Sequence, residues 1–211
     1  MLPIELKKMF DEIPMDDCSF SLIRADCQAE LSLDFTLSNY SMDGTSQTWR
    51  VTTTGYKECR VKFGSADFIE ITDDAPVLWQ FTDFHGELFF TGKIKEPEKL
   101  FVDLYRTHKK LFDDYRPFDL SFDGNSLFVA NTMYSNGQIC KGPRMMLEQY
   151  GQCLERNGLK FSIVGKWRWV PPFDATSESL ANRLKALLLG DSFVIAEDFN
   201  FQLLGSIEET L

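Results

Sequence analysis

Cysteine and histidine are too few in this chain for the common metal and disulfide frameworks. The chain has five cysteines, an odd number: Cys18, Cys27, Cys59, Cys140 and Cys153. No two of them form a C-x-x-C pair, and His85 and His108 are the only histidines. Disulfide scaffolds use even numbers of cysteines, and zinc sites draw on paired Cys and His. We therefore expect reduced thiols, no metal site and no cofactor.

Catalytic signatures are also missing. The sequence has no nucleophile elbow, no dinucleotide-binding glycine fingerprint, no phosphate-binding loop, no kinase motif set and no H-E-x-x-H. Each of these motifs supplies a particular chemistry, so their absence counts against the corresponding enzyme classes. We expect a protein that is not an enzyme.

Long hydrophobic runs do not occur, and ALLLG at 186–190 is typical of the runs present. A membrane-spanning helix needs about 20 consecutive apolar residues. The first residues, MLPIELKKMFDEIPMDD, have no uninterrupted apolar segment and no small-residue cleavage site. We expect a soluble, cytoplasmic protein, with a mature form of a secreted protein as the alternative.

Positive charge is in short supply. The chain has 22 Lys and Arg against 32 Asp and Glu, a formal net charge of −10. A negative surface repels phosphate backbones and anionic lipid, which disfavours nucleic-acid and membrane binding. The same surface favours solubility and fast association with a basic protein partner.

Two hydrophobic periods alternate along the chain. Residues 3–13, 96–112, 143–157 and 176–189 repeat apolar side chains at the period of a helix. In 96–112, for example, Leu100, Leu104 and His108 share one stripe. Short runs rich in β-branched and aromatic residues predict strands between 19 and 92: SFSLIRA, AELSLDFTL, TWRVTTTGY, ECRVKF, DFIEIT, VLWQF and GELFFTG. Further strands are predicted as a hairpin within 117–134, at 159–170 and at 192–204.

This order of elements predicts an α+β fold. The N-terminal half is rich in antiparallel β-meander, and three to four helices pack on a mainly antiparallel sheet. We expect one compact domain over residues 1–211, with both halves sharing one sheet system. Residues 93–96 and 171–175 are the alternative points of subdivision.

Residues 135–150, SNGQICKGPRMMLEQY, raise two chemical hypotheses. Cys140 lies near a predicted helix start beside Lys141 and Arg144, which is a context that lowers a thiol pKa, and His108 is the candidate base. In the second hypothesis, the same loop binds an anion through Gly142, the helix N-terminus and a cation. We favour the plainer interpretation of a hairpin end that leads into a helix started by Pro143.

Adjacent acids recur in the chain, and they carry the functional hypothesis. Acid pairs that share a face form a patch that steers a basic partner, and exposed Trp side chains anchor such a contact. The candidate partner-binding residues are Asp73, Asp74, Asp113, Asp114, Glu197, Asp198, Trp167 and Trp169. No catalytic or metal-ligating residue is assigned, because neighbouring strand residues point to opposite faces and rarely chelate together.

The most concrete interpretation is an acidic inhibitor or immunity-type protein that masks a basic partner such as a toxin or nuclease. One alternative is a small-molecule or hydrolytic enzyme that uses Cys140 with His108. The other alternative is a scaffold subunit of a larger assembly. The sequence does not fix the oligomeric state.

Overall fold

A computed structural model describes residues 2–12, 18–27, 31–39, 45–66, 68–118, 135–168 and 183–208. Their helices are α1 (Ile4–Glu12), α2 (Trp79–Thr82), α3 (Pro97–Phe112) and α4 (Arg144–Arg156), with a 3-10 turn at Pro76–Leu78. The first six strands are β1 (Cys18–Cys27), β2 (Leu31–Asn39), β3 (Thr45–Thr54), β4 (Glu58–Arg60), β5 (Gly64–Ala66) and β6 (Ile69–Thr72). The last six are β7 (Phe84–Thr91), β8 (Asn136–Pro143), β9 (Lys160–Arg168), β10 (Lys185–Leu189), β11 (Ser192–Ala196) and β12 (Asp198–Glu208).

The chain divides into two compact units. Unit 1 comprises Met1–Ala75 and Asn182–Leu211, and unit 2 comprises Pro76–Ala181. Unit 2 is therefore inserted, in sequence, between β6 and β10, which are neighbouring strands of unit 1. Whether the whole chain behaves as one domain stays a prediction.

Unit 1 is built from two antiparallel sheets. One has the strand order β12-β3-β2-β1-β5 and the other β4-β11-β10-β6. Every residue of β11 is buried, and so are four of the five in β10, because both strands lie inside their sheet. Apolar side chains from both sheets and from α1 form one core, which includes Leu6, Trp49, Val51, Leu187 and Val194.

Unit 2 has one antiparallel sheet, β8-β7-β9, with helices packed on it. Helix α4 packs on all three strands and on α3. The amphipathic stripe of α3 buries Leu100, Leu104, His108 and Phe112. The three apolar residues of this stripe join Leu88, Phe90, Leu147, Tyr150 and Leu154 in a second core.

The α+β fold class and its antiparallel strands are confirmed, as are the helices predicted at 3–13, 96–112 and 143–157. The strand predicted for VLWQF (77–81) is wrong, because a 3-10 turn and α2 occupy it. The expectation of one shared sheet system is also wrong, since the described strands form three sheets.

The helix predicted at 176–189 is wrong over its last turn. Residues 185–189 are β10, a central strand, and a strand buried on both faces carries a continuous apolar run that resembles a helix stripe. Residues 176–182 lie outside the described residues, as do 119–134 of the predicted hairpin.

Candidate functional site

The negative charge of the chain belongs to unit 1. Residues 1–75 and 182–211 contain nine Lys and Arg against nineteen Asp and Glu, a balance of −10. Residues 76–181 contain thirteen of each, so unit 2 is neutral. The charge that predicts a basic partner is therefore a property of one unit rather than of the whole surface.

Two of the predicted acid pairs follow strands that end at the same edge of a sheet. Strand β6 ends at Thr72, which pairs with Ala186 of β10. Strand β11 ends at Ala196, which pairs with Lys185 at the start of β10. Asp73 and Asp74 follow the first strand, and Glu197 and Asp198 follow the second; Asp198 is also the first residue of β12, in the other sheet of unit 1. We call these four residues the acidic sheet end; β10 lies between the two strands that they follow, and those strands are therefore about 10 Å apart.

The residues of the acidic sheet end differ in whether they form ion pairs. Lys185 Nζ lies 3.0 Å from Asp198 Oδ1, and this hydrogen bond lowers the pKa of the Asp198 carboxyl. Asp73 and Asp74 are exposed, and no ion pair of theirs occurs within the described part of the chain. Lys57 lies just ahead of β4 and Arg183 just ahead of β10, at the same edge. With Lys185, these cations are fewer than the four acids.

Glu197 is held in place by the neighbouring turn. Its backbone N–H donates to the Thr54 carbonyl at 2.9 Å. Gly55 has φ +64°, and a Cβ there would lie 2.6 Å from Glu197 Cγ. A glycine is needed at this turn both for its left-handed backbone and for the space that the Glu197 side chain fills.

The remaining predicted partner-binding residues belong to unit 2. Asp113 and Asp114 follow α3, and both carboxylates bond to Lys109 Nζ. The hydrogen bond to Asp114 is the main cause that raises the pKa of Lys109. Lys109 thus offsets one of the two negative charges of this pair within its own helix end.

Trp167 lies in β9 and is 40% exposed. The cations that flank it in sequence lie over the Phe84 ring, with Lys166 Nζ 4.3 Å and Arg168 Cζ 4.6 Å from its centroid. A tryptophan among cations is a poor anchor for a basic partner. Trp169 lies outside the described residues, so the predicted Trp167–Trp169 face stays a prediction.

Cys140 lies in strand β8 rather than in a loop. It pairs with Leu88, is 4% exposed, and burial raises the pKa of its thiol. His108 is fully buried, with Nδ1 2.6 Å from the Tyr150 hydroxyl and Nε2 2.7 Å from the Arg116 carbonyl. A thiol kept protonated and a histidine bonded at both nitrogens do not form an activated nucleophile and base.

The predicted anion loop at 140–144 is already occupied by acids. The Met145 N–H in the first turn of α4 donates to Asp83 Oδ2 at 2.7 Å. Lys141 pairs with Glu87 at 2.8 Å, and Arg144 pairs with Glu148 at 3.1 Å. An external anion would have to displace three carboxylates that belong to the protein.

A cleft between the start of α3 and the end of α4 was not predicted from the sequence. Its volume is about 300 Å³, and it is lined by Ile94, Lys95, Glu96, Lys99, Leu100, Arg156, Asn157 and Leu159. We call it the α3–α4 cleft. Its three cations come from positions 95, 99 and 156, so no local sequence motif predicts that they lie together.

Among the residues that the structure describes, no three His, Cys, Asp or Glu side chains are grouped closely enough to hold a metal ion. No helix in those ranges is long and apolar enough to cross a membrane. Comparison with protein-family models, curated proteins and solved structures found no match.

Proposed function

We propose that the protein binds a basic macromolecular partner through unit 1 and acts as an inhibitor or immunity-type protein that masks that partner. The observation that carries the proposal is the segregation of charge, which gives unit 1 a balance of −10 and leaves unit 2 neutral. A concentrated negative field attracts a cationic protein from a distance and orients it before contact.

The acidic sheet end supplies the contact within unit 1. Asp73 and Asp74 are exposed, so they are available to lysine or arginine side chains of a partner. Asp198 shares Lys185, and a partner cation would compete with an internal one there. We therefore assign the larger part of the binding energy to Asp73 and Asp74.

The experiment has two stages. The tagged protein first captures partners from its native lysate at low and high salt, with identification by mass spectrometry. The association rate constant with the captured partner is then measured against salt concentration. Steered association between opposite charges is expected to slow by about tenfold or more between low and high salt, because ions screen the long-range attraction.

A matched pair of variants locates the contact. Asp73→Asn with Asp74→Asn removes two negative charges from the acidic sheet end. Glu98→Gln with Glu155→Gln removes two from exposed helix positions of unit 2. We expect the first variant to slow association several-fold and the second to match the parent protein.

Two results would contradict the proposal. One is the lack of a stoichiometric basic partner at either salt concentration. The other is a partner whose association is indifferent to salt and to the Asp73 and Asp74 substitutions, which is the behaviour of an apolar scaffold contact.

A further inference from the structure

We propose that the α3–α4 cleft binds a small phosphate monoester with an apolar organic part. This ligand site goes beyond the proposed masking of a basic partner and involves the other unit of the chain. Three features of the cleft carry the proposal: its charge, its helix termini and its floor.

The cleft is cationic although the chain is strongly acidic. Lys95, Lys99 and Arg156 line it, and Glu96 is the only acid among its lining residues. Glu96 and Lys99 approach to 3.5 Å, with both side chains more than half exposed, so this ion pair is weak. The lining therefore carries an excess of two positive charges. That excess matches a phosphate monoester, with about −1.5 to −2 charges at neutral pH, better than a carboxylate.

The two helix ends that meet at the cleft differ in how their backbone groups are satisfied. Helix α4 closes on itself, since Gly158 N–H donates to the Glu155 carbonyl and Leu159 N–H to the Leu154 carbonyl. Helix α3 has no such closure, because its N-cap residue Glu96 makes no side-chain bond to the first-turn N–H groups. The negative end is therefore masked while the positive end is available to an anion.

The start of α4 provides an internal comparison. There the Asp83 carboxylate already bonds the Met145 N–H, and each nearby cation has its own acid. Neither Lys95 nor Arg156 has such an ion pair within the described residues. Of the two long helices in unit 2, only α3 thus presents its start to a cleft with unmatched cations.

The floor of the cleft is apolar. Leu100 and Leu159 are each 3% exposed and belong to the core of unit 2, and Ile94 packs against that core. A volume of about 300 Å³ is at the lower end of small-molecule sites. It accommodates a single ring or a short chain together with its phosphate group.

Phenyl phosphate is the probe, and the readout is a titration of backbone amide chemical shifts. We expect saturable shifts at Lys99, Leu100 and Leu159, with a dissociation constant below about 1 mM. Benzoate and inorganic phosphate should each bind about tenfold more weakly, since one lacks the second charge and the other lacks the ring. Benzyl alcohol should give no saturable shift.

Substitutions of exposed cations test the site without touching the core. Lys95→Gln and, separately, Arg156→Gln should each weaken phenyl phosphate binding about tenfold. Lys110→Gln makes the same charge change at the far end of α3 and should leave binding unchanged. If one cleft variant fails to fold, which thermal melting reports, the other still decides.

Several outcomes would overturn the proposal. They are the lack of saturable shifts up to about 10 mM phenyl phosphate, shifts that map away from the cleft, and cleft variants that bind phenyl phosphate as tightly as the parent protein does. Benzoate or inorganic phosphate binding as tightly as phenyl phosphate would overturn the assignment of ligand class.

Discussion

His108 brings two polar nitrogens into the fully buried core of unit 2. Nε2–H donates to the Arg116 carbonyl, and Nδ1 forms a hydrogen bond with the Tyr150 hydroxyl. The ring also contacts Phe112 and Phe118 at centroid distances of 5.0 and 5.4 Å. His108 thereby joins α3, α4 and the segment after α3. The helical stripe predicts its burial, but its partner Tyr150 is 42 residues away and gives no sequence signal.

Tyr150→Phe should destabilise the protein by about 1–3 kcal/mol, because it removes the hydroxyl that bonds the buried Nδ1. Urea denaturation measures the change in free energy of unfolding. Tyr105→Phe is the matched control, since Tyr105 lies on the exposed side of α3 and is 45% exposed. A Tyr150→Phe variant as stable as this control would contradict the assigned role of the hydroxyl.

His85 predicts how stability depends on pH. Burial lowers its pKa from 6.5, against the weaker raising effects of the Gln80 carbonyl and the Asp83 charge. The unfolded state therefore binds the proton at a higher pH than the folded state does. The free energy of unfolding should be constant above pH 6.5, fall as the pH drops through that value, and level off below the folded-state pKa.

Denaturation curves between about pH 8 and pH 5 test this expectation, with His85→Gln as the comparison. Glutamine retains an N–H donor for the Gln80 carbonyl but does not titrate. Asp198 does not interfere, because its pKa is lowered from 3.8 and its contribution is lost only at lower pH. Equal pH slopes in the two proteins would show that His85 does not contribute.

At the scale of elements, the sequence predicts best where one face of an element is polar. Helices α3 and α4 have such a face, so their hydrophobic period is visible and both predictions are confirmed. Strand β10 has four buried residues out of five, and because it has no polar face, its apolar run wrongly predicts the end of a helix. The α3–α4 cleft could not be predicted at all, because packing alone brings position 156 to position 95.

Helix α4 packs closely on β9 through Gly151. A Cβ at this position would overlap the Phe161 ring. In an exposed helix, Gly→Ala stabilises by about 1 kcal/mol. Here we expect Gly151→Ala to destabilise by about 1–3 kcal/mol, since the core would be overpacked.

Thermal unfolding and urea denaturation measure this effect. Gln152→Ala is the control, because the neighbouring residue is exposed on the same helix. A Gly151→Ala variant that is more stable than the parent would show that the Phe161 ring can move aside.

At the scale of the molecule, the total charge of −10 does not say how the charges are distributed between the two units. The composition predicts an acidic protein, whereas the structure gives one acidic unit and one neutral unit. The insertion boundaries were needed to divide the charges in this way. The points of subdivision expected from the sequence, 93–96 and 171–175, do not coincide with Ala75 or Asn182.

Charge segregation predicts that the two units respond differently to salt. Repulsion among like charges destabilises a compact state, and added salt screens it. Raising NaCl from about 0.02 to 0.3 M should slow hydrogen exchange of buried amides in unit 1, such as Val51 and Val194, more than in unit 2. Leu104 and Leu147 are the reference amides there. Equal slowing in both units would contradict this expectation.

The insertion between β6 and β10 also sets an order on synthesis. The ribosome produces β6 more than a hundred residues before β10, its hydrogen-bonded neighbour. All elements of unit 2 emerge in that interval, so unit 2 can fold while the second sheet of unit 1 still lacks its two central strands. When synthesis is arrested after unit 2 has emerged from the ribosome, we expect unit 2 of the nascent chain to resist protease and unit 1 to be cleaved. The acidic residues of unit 1 would keep its unfinished strands soluble during that time.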